Sequence, residues 1–358
     1  MEWVRLGNVA EVIMGQSPKS EYCNDNKEGF PFYQGVSDFG EIFPVPTKYC
    51  TEPKKMAEID DVLIGVRAPV GDLNISNAKC CIGRGVAAIR ANEKFISKKY
   101  LFYFLQTQKQ YFEINSTGST FKAINKSVLS ETLIPIIEIN NQKTIENILD
   151  RIVNIIRKRK EQIQACDDLI ESLFFEMFGD VRINDKNFLL KKWKDVLNIV
   201  NGKNQKKVEN PKGKFPIYGS GGIMSYADDW LTKENSIIIG RKGNINKPIF
   251  VKEKFWNVDT AFGLEPNTNI LNANYLFGFC QIFNFERLNK AVTIPSLTKK
   301  DLLEIDIPIP PIELQNKFAD YVLKIEEEKK KLNSSLLELE SLFDSLMEDA
   351  FSGNLFKE

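Results

Sequence analysis

The sequence predicts an α+β protein in which two pseudo-repeated domains are joined by two long coiled-coil helices. Two observations predict this fold class. Segments of the first half of the chain return in the same order in the second half, and each half ends in a stretch with apolar residues at heptad spacing. At 358 residues the chain also exceeds the size at which single hydrophobic cores usually stop growing, so two or more domains are expected.

The internal repeat is carried by short segments that are similar without being identical. Four pairs occur in the same order: FPFYQG (30–35) and FPIYGS (215–220), VLIG (62–65) and IIIG (237–240), YLFYFLQ (100–106) and YLFGFCQ (275–281), INKSVLSETLIPI (124–136) and LTKKDLLEIDIPI (297–309). The separation falls from 185 positions (30 to 215) to 173 (124 to 297), as small insertions and deletions produce. We also align Trp3 with Trp193, because each precedes a glycine-led polar loop.

Each half is predicted to begin with a strand-rich domain that contains a few helices. Short β-branched and aromatic runs alternate there with Gly, Pro and Asn turns. The repeated aromatic segment, with Tyr100, Phe102 and Phe104 in the first copy, is expected to fill a core, since aromatic residues at this density are usually packing residues. The alternative is that these rings stack on nucleic-acid bases.

Each half is predicted to end in a long helix with one apolar face, which we call the apolar seam. The first helix is expected to begin after Ile134-Pro135 and to end near Gly179. The seam residues of both helices are Leu149, Ile152, Ile156, Ile163, Cys166, Ile170, Leu173 and Met177, then Val322, Ile325, Leu332, Leu336, Leu339, Phe343, Leu346 and Ala350. Each seam needs a partner, and the other copy is the available one.

One charged residue interrupts each seam. Arg159 breaks the first and Lys329 the second. Either these side chains reach out to solvent, which we favour, or they fix the register of the pair. The predicted division of the chain is domain 1 at 1–137, a long helix at 138–180, domain 2 at 181–310, and a second long helix at 311–353.

Composition excludes several classes of function. Lys plus Arg and Asp plus Glu both total 48, so the net charge is zero and any nucleic-acid surface must be local. The absence of His removes the commonest general base, and the six Cys have no C-x-x-C spacing, so reduced thiols are expected and no metal site. No signal peptide and no apolar run of membrane-spanning length is seen, which predicts a soluble, cytoplasmic protein without a membrane partner.

Motifs for DNA methylation and nucleotide hydrolysis are missing from the sequence. It has no F-x-G-x-G loop, no N-P-P-Y turn and no G-x-x-x-x-G-K-[ST] loop. Asp60 and Asp61 together with the stretch 52–55 suggest a metal nuclease only faintly, because they precede a predicted strand. We therefore expect no catalytic residues and no cofactor.

The chain resembles, over its whole length, the DNA-specificity (S) subunits of type I restriction-modification systems. The resemblance rests on W-x-x-L-G-x-V followed by a glycine loop (3–15), the strand end around Gly65, and above all L-x-x-I-D-I-P-I-P-P-I-E-L-Q at 302–315, of which IPIIEINNQ (134–142) is a degraded copy.

The resemblance implies a non-catalytic subunit with two target-recognition domains, each of which reads one half of a bipartite, asymmetric sequence in double-stranded DNA. The two long helices would pack antiparallel as a spacer that sets the gap between the halves. The implied partners are methyltransferase (modification) subunits, expected to number two, and ATP-dependent restriction subunits. A helix of roughly 37 residues is about 55 Å long, enough to hold two readers one DNA turn or more apart.

DNA contacts are expected from polar and basic residues on the loops of each domain, since phosphate contacts position a reader and base contacts specify it. The candidates are Gln16, Ser17, Lys19, Arg67, Arg84, Thr120 and Lys122 in domain 1, and Lys203, Asn204, Gln205, Lys206, Lys207, Ser220, Arg241, Lys242, Asn244 and Thr293 in domain 2. Any one of these charges could instead belong to a solvated loop. The glycines that begin or end these loops are expected to be turn residues with positive φ.

Two rival hypotheses remain open. One is a duplicated coiled-coil adaptor that never meets DNA. The other is the specificity chain of a related restriction system whose cutting and methylating partners are fused. Because the net charge is zero, we expect the isolated chain to bind DNA poorly.

Overall fold

Short, apolar, β-branched runs and two long amphipathic stretches determine the architecture. The computed structural model describes residues 2–118, 122–291 and 293–355. The chain forms two compact units: unit 1 comprises residues 1–158 and 336–358, and unit 2 comprises residues 159–335. Each long helix therefore contributes one of its ends to each unit.

Unit 1 contains eleven strands among its described residues, and four helices that precede the first long helix. The strands are β1 (Glu2–Arg5), β2 (Ala10–Met14), β3 (Cys23–Asn24), β4 (Phe30–Tyr33), β5 (Lys48–Cys50), β6 (Met56–Ala57), β7 (Val62–Gly65), β8 (Leu73–Ile75), β9 (Cys80–Ile82), β10 (Val86–Ala91) and β11 (Leu133–Ile136). The helices are α1 (Leu6–Val9), α2 (Lys98–Thr107), α3 (Lys109–Ile114) and α4 (Lys126–Glu131). The first long helix, α5 (Ile139–Phe178), follows.

Unit 2 is built from equivalent elements. Its strands are β12 (Leu189–Lys192), β13 (Leu197–Asn201), β14 (Phe215–Gly219), β15 (Gly222–Ala227), β16 (Ser236–Gly240), β17 (Ile249–Val251), β18 (Trp256–Asn257), β19 (Ala261–Pro266) and β20 (Asp306–Ile309). Its helices are α6 (Trp193–Val196), α7 (Ala273–Ile282) and α8 (Lys299–Leu303), and the second long helix is α9 (Ile312–Ser352).

The sheet topology confirms the duplication. A four-stranded antiparallel sheet has the order β2-β10-β7-β8 in unit 1 and β13-β19-β16-β17 in unit 2. A second sheet in each unit contains one parallel pair, in which Phe32 lies opposite Cys81 and Ile217 lies opposite Trp256. The central strands β7 and β16 are buried along their whole length, which explains why both are continuous apolar runs.

Strand register corrects one part of the predicted repeat. Trp3 lies opposite Pro135 in the β1–β11 pair, and Leu190 lies opposite Pro308 in the β12–β20 pair. Trp3 therefore corresponds to Leu190, and the alignment of Trp3 with Trp193 is wrong by three positions. Trp3 is 51% exposed on its ribbon, whereas Trp193 begins α6 and is fully buried against Phe279 and Phe285.

The repeated aromatic helices α2 and α7 lie in the two largest cores, as predicted for packing residues. Tyr100 and Tyr275 are both fully buried, and their hydroxyl groups donate to the carbonyls of Pro135 (2.9 Å) and Pro308 (2.7 Å). Burial raises the pKa of both tyrosines, so the hydroxyls remain neutral hydrogen-bond donors. Base stacking by these rings is therefore excluded in this fold.

The two long helices run antiparallel and pack together. In unit 1 the start of α5 shares a core with the end of α9, where Phe351 lies 5.1 Å from Tyr100 between ring centroids. In unit 2 the end of α5 shares a core with the start of α9, where Phe178 lies 5.4 Å from Phe318. Both helices end at a glycine with positive φ, Gly179 and Gly353, which is the expected stop. No helix among the described residues is long and apolar enough to cross a membrane.

Every residue of the predicted apolar seam is buried or half-buried in the structure, and the flanking positions are mostly exposed. Lys329 does not simply reach out to solvent. Its Nζ lies 2.5 Å from Asp167 Oδ1 on α5, and its side chain is only 25% exposed. The charge in the second seam is thus neutralised across the helix pair, which favours the alternative in which it fixes register.

The acidic stretch before β7 has a structural role. The Asp61 side chain is 4% exposed and accepts two hydrogen bonds from the Arg90 guanidinium, at 3.0 and 2.8 Å, and one from the backbone of Glu58 at 2.8 Å. Asp60 pairs with Lys98 at 3.2 Å. Both carboxylates are therefore engaged in ion pairs within the domain. The described residues contain no cluster of side chains that could hold a metal ion.

Candidate nucleic-acid interface

In unit 1 three of the predicted contact residues line one small cleft. Ser17, Arg67 and Arg84 surround a cavity of about 140 Å³ whose other walls come from residues 34–36, 68 and 85. The cleft forms because the loop after β2 folds back on the β9–β10 turn: the backbone of Gln16 donates to Ile82 at 2.9 Å, and that of Arg84 donates to Ser17 Oγ at 3.4 Å. Both arginine side chains are exposed at its mouth.

A third loop packs against the segment that carries Arg67. Arg67 forms a bridge with Ala123, and the backbone of Ala68 donates to Lys122 at 3.1 Å. Lys122 is exposed and Gln16 is exposed, so both are available beside the arginines. Thr120 lies outside the described residues. The segment 122–124 thus joins the other two loops, although more than fifty residues separate it from Arg67.

In unit 2 three loops are held together by corresponding backbone contacts but carry other side chains. We call this three-loop arrangement in each unit the frame. The backbone of Lys203 donates to Asn257 at 3.0 Å, and that of Arg241 donates to Thr260 at 2.8 Å. Lys242 forms a bridge with Ser296, the counterpart of the bridge between Arg67 and Ala123. Thr293 is exposed on the same loop as Ser296.

Corresponding positions of the two frames differ in charge. The hydrogen bond from the backbone amide of Val66 to the carbonyl of Gly85 in unit 1 corresponds to the one from Arg241 to Thr260 in unit 2. Unit 1 therefore has a buried valine at the position where unit 2 has an exposed arginine. By the same alignment, Arg84 corresponds to Asp259. Two like scaffolds therefore present unlike surfaces.

The four glycines that begin or end these loops are required by close packing and not by positive φ, which corrects the expectation from sequence. Gly15, Gly65, Gly202 and Gly240 all have φ outside the left-handed region. A Cβ on Gly202 would lie 1.8 Å from the carbonyl oxygen of Val258, and one on Gly15 would lie 2.2 Å from that of Gly83. Each glycine lets its loop pass directly against the neighbouring turn.

The loop of Lys203, Lys206 and Lys207, which we call the lysine loop, is held in place by hydrogen bonds and carries unneutralised charge. The carbonyl of Lys203 accepts from Trp256 Nε1 at 2.9 Å, and Asn204 Oδ1 accepts from the backbone of Lys206 at 3.0 Å. The turn that follows is closed at Gln205, whose carbonyl accepts hydrogen bonds from two backbone amides. All three lysines are exposed, and none forms an ion pair with another described residue.

The remaining candidates vary in availability. Ser220 lies within the glycine-rich turn at 219–222 and is half-buried, whereas Asn244 directly follows the loop at 240–243 and is exposed. Arg241 is partly occupied, because its guanidinium lies 5.9 Å above the Phe262 ring and donates to the Asp259 carbonyl at 3.4 Å. Lys19 pairs with Glu21 at 3.2 Å, which places it among the solvated loop residues.

The cysteines show no sign of activation. Burial raises the pKa of Cys80 to about 11 and that of Cys81 to about 12, so both thiols are protonated at neutral pH. Cys280 is fully enclosed and its pKa is raised by the same cause. A thiolate nucleophile is thus disfavoured at these positions.

Sequence reasoning missed two sets of residues. Gln142 and Gln315 are fully buried and tie the start of each long helix to its core, and their identical position after the Ile-Pro motif was the available signal. Ile223 and Met224 are exposed apolar residues beside Ser220, and no pattern in the sequence marks them as exposed.

Known proteins match the chain over the full extent of this architecture. The family described as type I restriction modification DNA specificity domain matches residues 1–165 and 178–340. A Methanocaldococcus jannaschii protein provisionally named the type I restriction enzyme MjaX specificity subunit is 42% identical over 187 residues, which cover 51% of this chain and 44% of that relative. The match thus spans less than half of that relative's length.

Two further likenesses extend over nearly the whole chain. The Escherichia coli type I restriction enzyme EcoBI specificity subunit is 20% identical over 99% of this chain and 86% of its own length. The crystal structure of a type I restriction-modification system S subunit from M. genitalium superposes with a TM-score of 0.64 and 17% identity, covering 98% of this chain and 96% of that one, which shows a shared fold. With both halves matched, the chain belongs to the family of type I restriction-modification DNA specificity domains.

Proposed function

We propose that this chain is the DNA sequence-specificity subunit of a type I restriction-modification complex. The observation that carries the proposal is the pair of like frames with unlike surfaces: both units hold three loops by the same backbone contacts, yet Arg84 and Val66 correspond to Asp259 and Arg241. An asymmetric bipartite target requires two readers that share a scaffold and differ in side chains.

In this proposal the chain divides as the sequence predicts. Residues 1–137 and 181–310 are the two target-recognition domains, and the helices at 138–180 and 311–353 are the spacer that sets the gap between half-sites. The loop residues of each frame contact phosphates and base edges of double-stranded DNA. The chain itself catalyses nothing, and because the complex acts on the cell's own or incoming DNA, the chain works in the cytoplasm.

The catalytic steps belong to partner subunits in this proposal. Two methyltransferase subunits dock on the chain, and ATP-dependent restriction subunits join them. These partners also supply phosphate contacts beyond those that a chain of zero net charge makes by itself, so high affinity for DNA is a property of the complex.

The test is a genome-wide map of DNA methylation by single-molecule sequencing. Cells that express the chain together with its methyltransferase are compared with cells that express the methyltransferase alone. We expect one bipartite motif with a fixed gap, present only when the chain is present. Identical maps from an active methyltransferase would contradict the proposal and favour the adaptor hypothesis.

A further inference from the structure

The hairpin of β14 and β15 in unit 2 has a thin, glycine-rich tip. Tyr218 lies opposite Ile223 and Gly219 lies opposite Gly222, with a register shift that leaves Met224 outside the ladder. Gly222 has φ of +124°, which only glycine adopts without strain, and no heavy atom lies within 4 Å of the position its Cβ would take. The turn of the hairpin is therefore narrow, with side-chain bulk only at the residues that follow it.

Two large apolar side chains stand exposed on this tip. Ile223 is 54% exposed and Met224 is 61% exposed. Met224 is held over the backbone of Gly219, where an added Cβ would lie 2.8 Å from its Sδ. Apolar groups placed in this way remain in contact with water unless a partner covers them.

The surroundings of the tip indicate what that partner is. The side-chain amide of Asn244 lies next to Gly221, and Ser220 Oγ lies next to Gly243, so hydrogen-bonding groups flank the turn that precedes Ile223. Lys242 lies next to Gly243 and is exposed without an ion-pair partner in the described part of the chain. Through Tyr218, whose carbonyl accepts from Val258, the hairpin also adjoins the turn that holds the lysine loop.

Unneutralised cations around a ribbon with apolar and hydrogen-bonding side chains fit the major groove of duplex DNA. That groove admits a two-stranded β-ribbon, and its one apolar feature is the 5-methyl group of thymine. A second protein would need carboxylates placed opposite each of these cations, whereas any DNA duplex supplies phosphates along both edges of the groove.

Unit 1 has no such tight hairpin among its described residues. The neighbour of β4 there is β5, and the segment between them, residues 34–47, begins with a 3-10 turn in place of the glycine tip. The equivalent connection in unit 2, between β14 and β15, is only residues 220–221. The two units thus differ at this element, which adjoins the cleft in unit 1, and readers of different half-sites have to differ at their contact surfaces.

We propose that the tip at 219–224 enters the major groove of the half-site read by unit 2, and that Ile223 and Met224 contact thymine 5-methyl groups there. This inference rests on the proposed function and adds to it the residues and the base feature that set part of the specificity.

The test uses the purified complex of the chain with its methyltransferase subunits and a duplex that carries the mapped target. Each thymine of the half-site read by unit 2 is replaced in turn by deoxyuridine, which removes only the methyl group. We expect one or two replacements to weaken binding roughly 3- to 5-fold, the value of one buried methyl group. In the variant with Ile223→Ala and Met224→Ala, the same replacements are expected to have no effect.

Leu190→Ala is the matched control, since Leu190 is 52% exposed in the same unit but lies on the β12–β20 ribbon. It should leave the ratio of thymine to deoxyuridine affinities unchanged. A wild-type complex that binds all thymine and deoxyuridine duplexes equally overturns the inference. This holds even if the double variant loses specificity, because apolar side chains inserted between base pairs from the minor groove would also give that loss. A mapped motif without thymine on either strand of that half-site also overturns it, while the proposed function stands.

Discussion

Replacing Lys203, Lys206 and Lys207 together with alanine is expected to weaken DNA binding by the methyltransferase complex about a hundredfold at about 0.15 M salt. The magnitude follows from counterion release, because each phosphate contact changes the slope of log K against log salt by about 0.9. Three lost contacts should therefore make the slope less steep by about 2.7, and the variant and wild type should converge near about 1 M salt. Fluorescence anisotropy across a salt series measures both quantities.

Alanine at Lys324, Lys330 and Lys331 removes the same charge from exposed positions on α9 and provides the matched control. Its slope should equal that of the wild type if the lysine loop contacts phosphates locally. An equal loss in both triple variants would mean that only the total charge matters, and the loop would lose its assigned role. Assembly of each variant with the methyltransferase is checked first by gel filtration.

Gln315→Ala is expected to destabilise unit 2 by about 3 kcal/mol or more. The Gln315 side chain is fully buried, donates to the carbonyls of Ile270 (3.0 Å) and Pro310 (2.8 Å), and accepts from the backbone of Asn272 (2.8 Å). Alanine leaves these three backbone groups buried without partners, and each costs about 1–3 kcal/mol. For a unit of this size the melting temperature should fall by roughly 6–12 °C.

Gln281→Ala is the control for this substitution, because Gln281 is exposed on α7 of the same unit. Differential scanning calorimetry should show a change of less than about 0.5 kcal/mol for it. Equal destabilisation by both variants would contradict the role given to Gln315. Gln142 makes the corresponding hydrogen bonds in unit 1: it donates to the carbonyls of Phe95 and Ile137 and accepts from the backbone of Ser97, so Gln142→Ala should act on that unit alone.

The duplication and the long helices could be predicted because they depend on local pattern. Continuous apolar runs such as VLIG and SIIIG become central strands wherever both faces are covered, and heptad spacing specifies a helix pair whatever the loops do. Strand register is not local. Trp3 and Trp193 look alike in sequence, but hydrogen-bond pairing with Pro135 and Pro308 decides that Leu6 is the counterpart of Trp193.

The candidate interface could be predicted only by residue type. Nothing near Arg67 in the sequence indicates that Ala123 and Ser17 lie beside it, since that requires three loops to meet in space. The loop glycines were assigned a turn role because positive φ is the commonest reason for glycine, whereas here the reason is contact with a neighbouring carbonyl. Exposed Ile223 and Met224 read as an ordinary strand until the hairpin geometry is known.

The central claim is that each unit reads its own half of the target, and a domain exchange tests it most directly. Residues 181–310 are replaced by the corresponding domain of a family member whose second half-site differs, and the methylation map of cells carrying the chimera and the methyltransferase is recorded. We expect a motif that keeps one half-site and the gap and changes the other half-site. A chimera that assembles and methylates but leaves the whole motif unchanged, or changes both halves, would contradict the account.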